Sequence, residues 1–428
     1  MFAFILFCVA PVMKVKCTIL VLHEFNRTVN KTDGDKTGIQ QIINVKRQNE
    51  LNGLSNATNI SRILSKEHKI RNISLKNIEL YIYNKSMQFE GCSFFNMTIF
   101  VTSNRHTYFM LVNTYVHGKA ILDIKYIWKL FFENCQFHFI NNLNNVPILL
   151  LENIKSTSIN MCNFRNLNSP IISIRYSFSV ILNDMSVNCL YRRNTQKQKI
   201  TAIQLEQVFS LFIANAHFKN ISIPGLKMKL QGSVKLHNTT FNNSVCPIHI
   251  ILPSSSHLQH FSMRQAMFCN CSCIEYSGGI SISFSQKLRQ NGQMFSHDNA
   301  VAQVPIIIII VNSIFTRCHS DSNTGGLTIR MTEQKDLKYV NVTIFLTNCT
   351  FINNTSAKQA GAILLKNINY LFTRDSIFIG NKGLEGGAVK LLKMLSTIQS
   401  KNILSSNEAK NNGGAIHIDT ADLVIIMK

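Results

Sequence analysis

The sequence predicts an all-β protein, a right-handed parallel β-helix formed as a single solenoid of short strands through about sixteen coils. Three observations lead there. Two short motifs, Phe followed by Asn and Gly-Gly followed by Ala and Ile or Val, recur in step every 26 to 27 residues in the last third of the chain. The apolar runs between them are short and β-branched, and they alternate as in Gly279-Ile280-Ser281-Ile282-Ser283-Phe284. No stretch of eleven or more residues keeps the i, i+3, i+4, i+7 spacing of a capped helix. Composition agrees: of 428 residues 46% are hydrophobic and only 15% charged, so a core can form and a disordered tail is excluded.

From the N-terminus, Met1 to Val12 is an apolar run too short to span a bilayer and of the length of a secretory signal's central region. Residues 1–17 are therefore expected to be a signal peptide, although Lys14 and Lys16 follow the run where a basic flank ordinarily precedes it. Fifteen Asn-x-Ser/Thr sequons occur, about twice what chance supplies, with Asn220, Asn238, Asn341 and Asn348 as candidate N-glycosylation sites. A repeat that places Asn near Ser or Thr at a turn would make some of them as a by-product. Twelve cysteines fit an oxidising compartment, and loss of Cys8 with the signal would leave eleven. No later run reaches the length of a membrane helix; Pro305–Val311, the strongest, reads as a buried strand. The expected location is extracellular or at the cell surface.

Residues 18–75, rich in Lys, Asn, Gln and Thr after residue 25, form a loose N-terminal segment or cap. Residues 76–428 form the β-helix, most regular at 265–428. There Phe351, Asn354 and Gly361 are followed by Phe378, Asn381, Gly386 and Gly387, and then by Asn407, Gly413 and Gly414. Upstream the Phe half persists at Phe94, Phe137, Phe164, Phe218 and Phe241, and the stretches 284–299 and 331–339 read as inserted loops. In a solenoid the Phe points inward and stacks from coil to coil. The Asn takes left-handed backbone angles at a corner and bonds to the amide one coil away. Gly-Gly supplies a bend with positive φ and close backbone approach. Coils of about 25 residues stacked about 4.8 Å apart give a rod about 75 Å long. A leucine-rich repeat is excluded because its Leu-x-x-Leu-x-Leu spacing does not recur.

Phe-x-x-Asn with Gly-Gly-Ala-Ile resembles the repeat of the polymorphic outer-membrane protein family, which also appears in secreted eukaryotic right-handed β-helix proteins. The resemblance covers about 265–428 well, more loosely at its start, and about 85–264 only through its Phe-Asn half. In the bacterial family such repeats form a surface-exposed passenger for adhesion followed by a membrane barrel, so the resemblance implies an adhesion role. This chain departs from that plan at Ile425-Ile426-Met427-Lys428, inside a strand. It is expected either to be truncated there from a longer ectodomain or to associate end to end at that coil.

Chemistry is sparse. The ten Asp include no adjacent pair, and the signatures of pectin hydrolases are absent, so a polysaccharide lyase or glycosidase is the alternative to a binding module rather than the first choice. Cys269, Cys271 and Cys273 alternate as on one strand face and are candidates for disulfides to neighbouring coils or for simple burial, their spacing suiting no common zinc site. Cys135, Cys162 and Cys189, each 27 apart, are expected to stack inward. Scattered histidines give no metal site, and no catalytic residue or cofactor is predicted. A net charge of +22 without a long basic block favours a solvated face, with anionic-glycan binding along a basic stripe as a further alternative and no nucleic acid. The expected function is a binding, adhesion or structural module whose partner is an unknown protein or glycan.

Overall fold

The computed structural model describes residues 18–23, 69–103, 106–142, 145–190, 201–253, 260–285, 305–331 and 341–427. The expected signal peptide, 1–17, and residues 24–68 of the expected N-terminal segment lie outside them. The chain divides into two units, Met1–Ser173 and Ile174–Lys428. Each is a stack of coils made of short strands paired in parallel, and no α-helix occurs among the described residues. The parallel β-solenoid read from the repeats is the fold of the protein.

In Ile174–Lys428 the regular coil is plain at 363–388. The long strand Ile363–Arg374 is followed by Ile377–Ile379 and by Lys382–Gly383, after which Val389–Ser400 opens the next coil. Ile363 pairs with Val389, Phe378 with Leu404 and Lys382 with Glu408, so one coil lies on the next in register. The long strand bends where Asn367 (φ 59°), and one coil later Lys393 (φ 55°), takes left-handed angles. Coil lengths vary more than a fixed 25: paired positions are 27 residues apart at Cys349 and Ser376, 36 at Asn312 and Asn348, and 47 at Ala266 and Ser313. The strands Ile280–Ser285 and Leu327–Met331 take the first residues of the two expected loops, whose remainders, 286–299 and 332–339, lie outside the described residues.

The corner before each Phe carries a signature not read from the sequence: a left-handed residue, a small buried residue, one more position, then Phe. Asn312-Ser313-x-Phe315, Asn348-Cys349-x-Phe351 and Asp375-Ser376-x-Phe378 are three successive copies, with φ of 51° at Asn312, Asn348 and Asp375. Asn and Asp tolerate that conformation better than bulkier residues, and only a small side chain fits inside the tight turn. The rings then stack nearly parallel, with centroid separations of 4.6 Å for Phe218–Phe241, 5.2 Å for Phe241–Phe268, 4.8 Å for Phe268–Phe315, 4.7 Å for Phe315–Phe351 and 5.0 Å for Phe351–Phe378. Burying each ring contributes roughly 1.5–3 kcal/mol, to which an aromatic pair adds about 0.5–1.5 kcal/mol.

At the next corner two tasks assigned to one Asn are divided between neighbours. Asn353 (φ 52°), Gly380 (φ 63°) and Ser406 (φ 55°) take the left-handed backbone. Asn354, Asn381 and Asn407 carry the amide ladder: Asn354 Nδ2 donates to Asn381 Oδ1 at 3.0 Å, and Asn381 Nδ2 donates to Asn407 Oδ1 at 2.9 Å. Asn354 and Asn381 are completely buried. The glycines need a similar correction. Positive φ occurs at Gly386 (66°) and Gly413 (65°), but not at Gly361, Gly387 or Gly414. Those three continue a column begun by Gly278 and Gly325, whose reason up to Gly387 is close approach: a Cβ on Gly325 would lie 2.5 Å from Cys318 O and 2.7 Å from Gly361 O, whereas one on Gly414 would meet nothing nearer than 3.9 Å.

Met1–Ser173 uses shorter coils, such as the 19 residues from Asn77 to Asn96. Each has three strands, seen in 97–102 of Ser93–Thr102, Tyr108–Val112 and the start of Tyr115–Lys125. The third strand runs into the first of the next coil through a register shift between Phe95 and Met97, where Asn96 (φ 50°) and Gly118 (φ 83°) lie on facing strands. Phe137 stacks on Phe164 at 4.6 Å, and Phe89, Phe109 and Phe132 form a second, tilted column at 6.0 and 6.3 Å. The segment expected to be loose contributes strands of its own: Thr18–His23 pairs in parallel with 78–83, and Lys69–Arg71 with Met87–Glu90.

Of the cysteine cluster, a disulfide to a neighbouring coil and burial are found, while the expectation that all three share one strand face is corrected. Cys273 is bonded to Cys246, one coil away with Cα atoms 4.7 Å apart, while Cys269 and Cys271 are free thiols. The three do not share one strand face, because Asn270 (φ 51°) breaks the strand after Cys269 and leaves that side chain half-buried, with Cys271 and Cys273 inside. Cys135 and Cys162 do stack inward; the side chain of Cys189 lies outside the description.

Candidate functional site

Within Met1–Ser173, the corners between the first and second strands of successive coils line up along one edge. They bring Tyr83-Asn84, Thr102-Ser103, Tyr126-Ile127-Trp128 and Asn153-Ile154-Lys155 side by side. Backbone bonds fix the order: Asn84 N donates to Thr102 O at 3.0 Å, Ser103 N to Lys125 O at 3.3 Å, and Tyr126 N to Glu152 O at 3.0 Å. The result is a groove with a cavity of about 510 Å³ lined by Ser103, His106, Tyr126, Ile127, Trp128, Asn153 and Lys155. A second hollow of about 310 Å³, lined by Tyr83, Asn84, Thr102, Ser103 and Tyr126, shares two of these residues and extends it.

The corner demands left-handed backbone, and Asn84 (φ 52°) and Asn153 (φ 54°) meet that demand at little cost. Tyr126 (φ 58°) does not: a bulky L side chain there costs about 1–2 kcal/mol. In return its ring is held outward, 52% exposed, over a buried Ile127. Two residues on, Trp128 is half-buried, and its backbone N–H donates to Thr107 O at 2.9 Å. Lys155 Nζ lies 3.5 Å from the centroid of the Trp128 ring, and His106 meets that ring edge-on at 4.1 Å. The groove thus joins aromatic surface to a cation, with amide and hydroxyl groups at its side.

No Asp or Glu lines either hollow. Beyond the groove, Lys125 is engaged with Asp123 at 3.3 Å and Glu152 at 4.0 Å. Glu90 lies between Lys69 (2.8 Å) and Arg71 (2.9 Å), whose hydrogen bonds hold its carboxyl below the usual carboxylate range. Glu206 lies between Arg175 and Lys229, both at 3.6 Å. Among the described residues no group of three or more metal-ligating side chains comes together.

None of the residues singled out in the sequence lines the groove. The repeat positions from Phe351 to Gly414 and the four candidate sequons lie in Ile174–Lys428, and Phe94, Phe137 and Phe164, though in Met1–Ser173, point into the core away from the groove. Asn238 and Asn348 sit at the left-handed corner before a Phe, exposed, with Nδ2 donating to Asn215 Oδ1 at 2.8 Å and Asn312 Oδ1 at 2.9 Å. Asn220 accepts from Asn243 Nδ2 at 3.2 Å, and Asn341 is half-buried. One signal could have led to the groove. Trp128, the one Trp of the chain, and Lys155 are 27 residues apart, the same step as Phe137 to Phe164.

A sequence model of the Chlamydia polymorphic membrane protein repeat matches residues 348–366, the coil that holds Phe351, Asn354 and Gly361. The chain is similar there to the family whose motif the sequence resembles. No curated protein matches the chain. The structure of the Streptococcus pneumoniae surface protein and adhesin PfbA is similar at 14% identity and a TM-score of 0.44, over 84% of this chain and 92% of that one. A likeness of that size lends nothing to the functional argument, which rests on the groove.

Proposed function

We propose that the protein is a secreted or cell-surface binding module of the adhesion type, and that the groove in Met1–Ser173 holds an anionic sugar of a glycan. The observation that carries this reading is the arrangement of Tyr126, Trp128 and Lys155, with the Tyr126 ring held exposed by a backbone conformation unfavourable to it. Sugar rings present apolar C–H faces to aromatic side chains, and a carboxylate or sulfate substituent on the sugar completes the pairing with the Lys155 ammonium. The sequon excess and the Cys246–Cys273 bond support export. Glycoside hydrolysis ordinarily needs two carboxylates flanking the scissile bond, and the groove lining supplies neither.

The test is a glycan array followed by titration of the best binders and of heparin at several salt concentrations. Trp128→Ala and Lys155→Ala should each weaken binding about tenfold or more, equivalent to about 1.4 kcal/mol. Binding by the parent protein should fall as salt rises, and less steeply in Lys155→Ala. Retention of neutral and anionic glycans alike, or full binding by both variants, refutes the proposal.

A further inference from the structure

Cys135 and Cys162 occupy the same place on consecutive coils of Met1–Ser173: Gln136 and Asn163 are in register, and Asn163 N donates to Cys135 O at 2.9 Å. Cys271 and Cys318 stand in the same relation in Ile174–Lys428, with Ser272 paired to His319 and His319 N donating to Cys271 O at 2.8 Å. All four side chains are at most 1% exposed, and within each pair the two residues are in-register neighbours on adjacent coils. The bond already formed supplies the geometric precedent. Cys246 and Cys273 are also side-by-side neighbours on adjacent coils, with Cys246 N donating to Ser272 O at 2.8 Å and a Cα separation that disulfides readily span. In-register neighbours in a sheet are about 4.8 Å apart, so the winding itself places each pair within that range.

The other described thiols have no cysteine beside them. Cys92 lies next to Thr114, Cys349 between Ser313 and Ser376, and Cys269 between Asn242 and Thr316.

We propose that Cys135–Cys162 and Cys271–Cys318 are coil-to-coil disulfides, closed as the chain folds in the presence of a small-molecule disulfide such as oxidised glutathione. One thiolate of a pair attacks the oxidant's S–S bond, forming a mixed disulfide and releasing one reduced thiol. The second then attacks the protein sulfur of that mixed disulfide and releases the other. Each cysteine pair loses two electrons and two protons, and the oxidant's S–S bond becomes two thiols. Contact with Cys162 and then burial raise the Cys135 thiol; burial and then contact with Cys271 raise that of Cys318. With all four side chains at most 1% exposed, a dissolved oxidant has no access once the coils have closed, which confines the exchange to folding.

The full chain, refolded in reduced and oxidised glutathione, is alkylated and mapped as non-reduced peptides by mass spectrometry. The expected result is linked peptides joining Cys135 to Cys162 and Cys271 to Cys318, each about 2 Da lighter than the reduced pair, with Cys92, Cys269 and Cys349 alkylated. Cys135→Ser should expose Cys162 to the alkylating agent and leave Cys271 linked to Cys318. Alkylation of all four cysteines, whether or not Cys246–Cys273 has formed, or linkage to other partners, overturns the proposal, and one bond found without the other overturns it for the missing pair. Because the oxidant is supplied in the refolding mixture, the outcome is independent of where the protein resides and of what the groove binds.

Discussion

Replacing Asn381 with Ala tests the buried amide ladder where it is fully engaged. Asn381 Oδ1 accepts from Asn354 N and Asn354 Nδ2, both at 3.0 Å, while its Nδ2 donates to Phe351 O and Asn407 Oδ1, both at 2.9 Å. Truncation leaves two buried donors of Asn354 without an acceptor and takes a donor from the Phe351 carbonyl. Each buried unsatisfied group costs about 1–3 kcal/mol, so a loss of about 4 kcal/mol is expected, concentrated in the coils that hold residues 354, 381 and 407. A solenoid need not unfold in one step, so the suitable assay is native-state hydrogen exchange resolved by coil. Asn381→Asp sharpens the test by keeping the Oδ1 acceptor and replacing the Nδ2 donor with a second oxygen. Burial against two oxygen acceptors raises the pKa of the introduced carboxyl in the folded state. Stability should therefore be greatest below about pH 4 and fall as the pH rises from the unfolded value, about 3.9, through the folded one. A change below about 1 kcal/mol in Asn381→Ala, or an Asp variant most stable at neutral pH, would refute the reasoning.

Phe351→Ala removes a buried ring stacked on two others and should cost about 3–5 kcal/mol, read as lost exchange protection in the flanking coils. Gly325→Ala forces a methyl group against the Cys318 and Gly361 carbonyls and should destabilise by about 2 kcal/mol or more in chemical denaturation, whereas a column needed only for φ would leave it neutral. Lys390, buried, pairs with Glu385 at 2.6 Å, and this hydrogen bond holds the Glu385 carboxyl below its ordinary value of 4.5. That contribution is full above pH 4.5 and is lost as the pH falls through the depressed value; Glu385→Gln should cost about 2 kcal/mol at neutral pH and flatten the acid limb of a stability–pH curve. Tyr126→Gly should relieve the backbone, leaving thermal stability unchanged or up to about 1 kcal/mol higher, while glycan binding falls.

The sequence displayed the winding because Phe351 and Phe378 serve one role and are of one residue type. A stacked ring has few substitutes, so its period stays visible. The corner before each Phe is less legible for the opposite reason. Its left-handed position is filled by Asn348, Asp375, Gln265 and Met161 alike, since backbone conformation and solvent exposure admit several side chains. The cysteine cluster was misread because alternation assigns faces only along an unbroken strand, and Asn270 interrupts this one. The groove stayed hidden because its residues come from four coils at uneven spacing, from the Tyr83 corner to the Lys155 corner. Once the coil length is known locally, Trp128 and Lys155 fall into line, and the single Trp becomes the most informative residue in the first unit.

Coil length in Ile174–Lys428 varies from 23 to 47 residues, yet Phe268, Phe315, Phe351 and Phe378 remain a single stack. The number of residues between successive Phe positions thus leaves the stack of rings unchanged. The length of chain between two strands can then change without any compensating change in the column of Phe rings. The molecule is in that sense a chassis with replaceable outer parts, able to evolve new recognition at its rim while its spine stays the same.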